Sequence, residues 1–250
     1  MQNLKFFFRC EFSLIIFLCI NIQDGHAQTL GVGFCAVFTH TRQKVRMIHS
    51  KDDFQNTSYT ISFNYEQYFL NTRKSIQTSY MKYPGYTFIK FREGSVIASD
   101  GFPVVGDGFS GVDIHKLDLC YSYNLIHIKR FLLKPSIGLS LQKSVRNHST
   151  FWNDLYKING PEYFETDPIR VESLNTFQVL PSLGIKTGFV FWKRVELGLD
   201  IQGVYGFKPF QRMYFTYSYK GVPQETAIFE TTGTGLFTSI HVGFRIVKLE

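Results

Sequence analysis

His148, Ser149 and Asp154 fall together in the stretch RNHSTFWND, and a histidine, a hydroxyl and a carboxylate are the parts of an acyl-transfer triad. A hydroxyl becomes a nucleophile only when a base within hydrogen-bond reach takes its proton and a third group orients that base. These three are near neighbours in one polar segment, with no strand to hold them, so the sequence assigns no catalytic residue. His40, His49, His115 and His127 are scattered without ligand spacing, and no metal site is assigned. GDGFSG and TTGTG read as glycine-containing loops; a phosphate cradle needs a strand before it and a helix after it, so no cofactor is expected. A more coherent set is Glu66, Lys116, Asp118, Lys134, Lys186, Glu196, Asp200, His241 and Arg245. All nine lie on one parity of alternating segments, so strands would place them on one face of a sheet.

The alternation itself is plain in TSYTISFNYEQYF, residues 57 to 69. Tyr59, Ile61, Phe63 and Tyr65 share one parity, and Ser58, Thr60, Ser62, Asn64 and Glu66 the other. Helical periodicity is scarce, and eight such stretches occur: 29–39, 57–69, about 73–83, 113–124, 131–142, 177–189, 195–202 and 236–246. The fifth and sixth share a phrase, KPSIGLS and LPSLGIK, which marks equivalent positions in one sheet. Short links around Asn71, His127 and Lys193 alternate with long segments over roughly 41–56, 84–112, 144–173 and 207–232. Strict alternation of long and short links is the arrangement of an all-β, eight-stranded antiparallel up-and-down barrel, with every long loop at one end.

Three features decide that the apolar stripe faces outward. The charges named above all sit on the polar parity. Gly31, Gly33, Gly138, Gly184, Gly188, Gly198 and Gly243 do too, and a narrow eight-stranded bore needs small residues where a wet outer surface does not. Aromatics on the apolar parity crowd the strand ends, with Tyr59, Phe177 and Tyr205 towards the long loops and Tyr65, Tyr121, Tyr123, Phe131 and Phe189 towards the short turns. Two aromatic rings are what the two membrane–water boundaries select. Closure pairs every backbone group in hydrocarbon, where an open edge would be costly. Pro135 and Pro181 each remove a ladder donor and predict either a bulge or a position near the rim.

Lys5 and Arg9, an apolar run from Phe12 to Ile22, and Gly25 and Ala27 before Gln28 have the layout of a secretory signal peptide, so residues 1–27 form one segment and 28–250 the barrel. Removing 1–27 deletes Lys5, Arg9, Glu11 and Asp24, and the net charge stays at +7. A basic exported chain suits an anionic lipid surface, and export excludes nucleic acid. No later apolar run is long enough for a membrane helix. Cys35 and Cys120 remain, facing the bore from strands too far apart for a bridge, and are expected to be free thiols.

An exported chain with eight amphipathic strands, four long loops and a last strand near the C-terminus resembles the outer-membrane β-barrel proteins of Gram-negative bacteria. In size and aromatic-rich texture it is similar to the small PorT-like, or outer membrane protein beta-barrel domain, group common in Bacteroidetes. The ending GFRIVKLE, with Phe244 several residues from the end, departs from the terminal aromatic of many such barrels. The resemblance implies the cell outer membrane, with outer loops and periplasmic turns. It also implies a non-enzymatic role in envelope structure, adhesion or a secretion or assembly complex. Outer-membrane lipid, lipopolysaccharide and envelope or secretion proteins are the expected partners. A lipid A-modifying outer-membrane enzyme is the alternative, and a soluble lipocalin-like barrel the third reading. An eight-stranded bore leaves room for side chains and little else, so the lumenal charges are expected to form an ion-pair plug.

Overall fold

The computed structural model describes residues 28–45, 54–69, 73–90, 107–128, 130–145, 150–151, 164–166, 170–174, 176–192, 194–219 and 222–246. The signal segment 1–27 lies outside them. Eight long strands dominate: β1 (Gln28–Val45), β2 (Phe54–Tyr68), β3 (Lys74–Lys90), β4 (Asp107–Tyr123), β5 (Phe131–Val145), β6 (Phe177–Phe191), β7 (Val195–Val204) and β8 (Ala227–Arg245). Each pairs antiparallel with its chain neighbours. β8 returns to β1 with Thr29 opposite Arg245 and Phe38 opposite Leu236, which closes the barrel.

Side-chain direction follows the alternation. Ile61, Leu199 and Ile240 point outward at 57%, 38% and 60% exposure, while Lys134 and Glu196 point inward at 0%. This overturns the lipocalin-like arrangement, in which the apolar stripe would line the bore. The expected aromatics Tyr59, Tyr121, Tyr123, Phe177, Phe189 and Tyr205 are exposed on the outer face. Tyr65 departs from the set: it is buried, and its hydroxyl donates to Gln67 Oε1 at 3.4 Å.

The strands run farther than the sequence reading placed them. β1, β3, β4 and β8 have 18, 17, 17 and 19 residues, against the ~9–11 that cross a bilayer. Most of the surplus occupies segments read as long loops. Residues 84–90 and 107–112 continue the β3–β4 hairpin, and Pro209–Phe215 pairs with β8 on one side and Arg170–Ser173 on the other. GDGFSG from Asp107 onward and TTGTG are therefore strand, not loop. The missed signal is an inversion of polarity along each strand. Within the apolar band β4 turns Leu117 and Leu119 outward and Lys116 and Asp118 inward. Beyond it, Val112 and Ile114 face inward while Asp113 and His115 face outward. β3 changes in step, from Ser79 to Met81 and Tyr83 on the inside and from Tyr80 to Lys82 outside. An apolar exterior suits hydrocarbon and an apolar interior suits water, so the inversion marks where the barrel leaves the membrane.

Neither proline makes a bulge. The β5–β6 register passes through both without a shift. Pro135 lies one residue past the last β4 partner, Ser136, and Pro181 one residue before the first β7 partner, Ser182. The missing donors fall where a neighbouring ladder has ended, and Pro181 still accepts from the Tyr205 N–H at 3.4 Å. The shared phrase pairs with itself: Ser182 sits opposite Gly138 and Ser136 opposite Gly184. A Cβ at Gly138 would collide with the Leu119 carbonyl oxygen and lie 2.7 Å from Cys120 Cα, both of them backbone atoms on β4. Gly138→Ala is expected to destabilise the folded barrel by ~1–3 kcal/mol, read as a lower urea midpoint for refolded protein.

Candidate functional site

The nine sequence-selected lumenal residues come together inside the barrel, and all but one of them are buried. At the short-turn end Glu66 and Glu196 are the two anionic centres. Lys134 Nζ donates to both Glu66 oxygens at 2.9 and 3.0 Å, and Lys186 Nζ to Glu66 Oε2 at 2.8 Å. Lys186 also lies 3.2 Å from Glu196 Oε1, and Lys134 3.8 Å from it. Arg245 donates to Glu196 Oε2 at 3.2 Å, and His241 Nε2 stands 3.8 Å from Glu196 Oε1. Ser75 donates to Glu66 at 2.7 Å. The Tyr68 hydroxyl accepts from Lys134, whose ammonium also lies 4.7 Å from the Tyr68 ring centroid.

One layer towards the long loops, Lys116 pairs with Asp118 and donates to Gln202 Oε1 at 2.6 Å, while Ser79 donates to Asp118 at 2.8 Å. Asp200 is the half-buried member; Gln77 donates to it at 3.4 Å. Four carboxylates thus share the bore with four lysine or arginine cations. That balance is what a confined space demands, since an uncompensated charge there would cost several kcal/mol. Lys116 Nζ sits 4.3 Å over the Phe237 ring and joins this layer to the next.

The next layer is apolar and is the feature the sequence reading missed. Val37, Tyr83, Ile114, Leu180, Phe210 and Phe237 pack in the bore at 2% exposure or less. Tyr83 meets Phe237 edge-on with centroids 5.4 Å apart, and its hydroxyl donates to Gln142 Oε1 at 3.3 Å. Met213, Phe215, Ala227 and Phe229, all at 0% exposure, continue an apolar interior towards the long loops. In hindsight the signal was an apolar side chain on the polar parity at the loop end of several strands. Outside this extension, Arg212 Nε donates to Glu230 at 2.8 Å and the Tyr214 hydroxyl to Glu172 at 2.8 Å, which raises the Tyr214 pKa above its ordinary value.

Cys35 and Cys120 are buried free thiols; Cys120 accepts from Gln202 Nε2 at 3.5 Å. A water-soluble maleimide is expected to leave both unlabelled in the folded barrel and to label both after heating, as intact mass would show. His148, Ser149, Asp154 and His49 lie outside the described residues. His115 faces outward, with Nδ1 2.8 Å from the Tyr80 hydroxyl, and no cluster of metal-ligating side chains occurs among the described residues. Ionic layers capped by an apolar layer can hold charge in place and seal the bore. The fold is that of a small outer-membrane β-barrel.

A solved structure shares this fold. The outer membrane protein OprG from Pseudomonas aeruginosa superposes with a TM-score of 0.52 at 7% identity, over 89% of this chain and 96% of that one. Ail, the attachment invasion locus protein of Yersinia pestis, aligns over 88% of this chain and 98% of its own at 8% identity and a TM-score of 0.41. The outer membrane protease OmpT from Escherichia coli aligns over 90% and 98% at 14% identity and 0.43. No protein-family model matches the chain, and no curated protein matches it in sequence.

Proposed function

We propose that this protein is a non-enzymatic component of the outer membrane that acts through its long loops and the strand extensions beneath them, with a lumen that carries no traffic. The observation that carries this reading is the filled bore: among the described residues a balanced ionic layer lies beneath a packed apolar cluster, and buried side chains occupy both. The extension holds surface loops on a rigid stem, where recognition residues are best placed. Contact in envelope structure, adhesion or a secretion or assembly complex follows, and the PorT-like resemblance favours the last of these by analogy. Arg42 and Lys44, exposed at the loop end of β1 within the basic stretch HTRQKVRMIHSK, suit lipopolysaccharide phosphates.

Unboiled protein from outer-membrane fractions is expected to migrate differently from boiled protein, as a closed barrel does, and to give no single-channel conductance in planar bilayers. Deleting 152–163 is expected to abolish partner capture by crosslinking while leaving the gel shift intact. A change in lipid A on deleting the whole protein, lost again with Ser149→Ala or His148→Ala, would replace this reading with a lipid-modifying enzyme.

A further inference from the structure

The short-turn end carries a charge pattern that neither the plug nor the loops use. Each of the three short turns contains a Lys/Arg pair: NTRKS (71–75), HIKRF (127–131) and FWKRV (191–195). No aspartate or glutamate lies in any of them. Arg73, Lys74, Arg130 and Arg194 are all exposed. Backbone bonds fix three of them at the end of the barrel wall: Arg73 C=O accepts from Asn124 N–H at 2.6 Å, Arg130 C=O from Val190 N–H at 2.9 Å, and Arg194 C=O from Arg245 N–H at 2.8 Å. The guanidinium groups of Arg73, Arg130 and Arg194 have no carboxylate partner among the described residues. Because the lumenal cations are neutralised internally, this rim holds a concentrated share of the chain's +7 surplus.

Apolar side chains stand in the same ring. Trp192, Ile128 and Leu125 are 85%, 64% and 55% exposed. Trp192 adopts φ 46°, the left-handed region, at a hairpin tip that favours asparagine or glycine. Among the described residues its ring meets Phe191 alone, at 6.5 Å between centroids, so packing among them does not account for a tryptophan held in an unfavourable backbone state. Just inside the rim, Phe131 and Phe189 pack against each other on the outer face at 5.3 Å, the aromatic level at which hydrocarbon gives way to headgroups.

We propose that the short-turn rim binds the headgroups of anionic glycerophospholipids, with the arginines on the phosphodiesters and Trp192 seated among the glycerol and acyl-chain roots. Guanidinium forks match phosphate oxygens, and an exposed indole between cations suits a bilayer interface better than the flat face of an acidic protein. The surface is separate from the loops and stands whether or not they bind a partner.

The test uses the full mature chain folded into phosphatidylcholine bilayers and probed with spin-labelled phosphatidylglycerol against spin-labelled phosphatidylcholine. Wild type should prefer the anionic probe several-fold at low salt and lose the preference at high salt. The Arg73→Gln/Arg130→Gln/Arg194→Gln variant, shown to be folded by its gel shift, should lose it, and Lys82→Gln/Lys143→Gln, at the other end of the wall, should keep it. Trp192→Gly separates anchoring from folding: in detergent it should unfold at the same urea concentration as wild type or a higher one, while selectivity in the bilayer falls. No preference in wild type, a preference surviving the triple change, equal loss in the Lys82/Lys143 control, or a Trp192→Gly barrel weakened in detergent would each overturn the proposal. So would tight binding of an acidic periplasmic protein with no lipid preference.

Discussion

Replacing Glu196 with leucine is expected to cost the folded barrel about 3–5 kcal/mol, the largest effect of any single change among the lumenal residues. Glu196 is fully buried and stands against Lys186, Lys134, Arg245 and His241. Its removal leaves Glu66 as the one carboxylate beside three cations in a space from which water is excluded. Lys134 and Lys186 can both still reach Glu66, but Arg245 loses the only carboxylate that it contacts among the described residues. The change should lower both the temperature at which the unboiled band converts and the urea midpoint. Glu196→Gln, which keeps the shape and one acceptor, should lie between leucine and wild type. Glu196→Leu/Arg245→Met restores the original charge difference in this layer and should recover most of the loss. Lys82→Ala, which breaks an exposed pair with Asp113 at 2.7 Å, should cost no more than about 1 kcal/mol. A Glu196→Leu barrel as stable as wild type would mean that the lumenal ions are solvated and that the plug described above is not one.

That layer is legible in the sequence, and the reason is physical. Within the membrane band the environment changes sign between adjacent residues, so parity alone sorts Glu66, Lys134, Lys186 and Glu196 into the bore. Which cation meets which carboxylate was not legible. Register across four or five strands decides it, and nothing local to Glu66 specifies Lys186, 120 residues away. The apolar layer was missed for a different reason. Above the membrane the same parity rule holds with the opposite sign, and Ile114 two residues from Lys116 looks like noise in a polar stripe. Val37, Tyr83 and Phe237 repeat that pattern on three other strands, and only closure shows that they share one level. Residues 84–90 read as loop because the partner that makes them wall, 107–113, is interrupted by glycines that resemble a turn. Catalytic and ligand assignments in RNHSTFWND have no such register to lean on, which is why the sequence assigns nothing there.

Arginine in place of Ile240 tests the outer face as Glu196 tests the inner one. Ile240 is central among the outward residues of β8 from Leu236 to Phe244, with Ile246 just past the strand, and it is 60% exposed opposite Phe34 on β1 and Leu199 on β7. In hydrocarbon the guanidinium must snorkel or draw in water, and Ile240→Arg should destabilise the refolded barrel by ~2–4 kcal/mol in bilayers. Ile246→Arg, at the end of the band, should cost ~0–1 kcal/mol because headgroups are within reach. The sign of the first change discriminates between solvents. If water bathed Ile240, removing an exposed isoleucine from a sheet surface would be nearly neutral, and the charge would improve solubility. A gradient of cost falling from Ile240 to Ile246 therefore requires a low-dielectric slab around the barrel, centred on the residues whose outward exposure could not otherwise be explained.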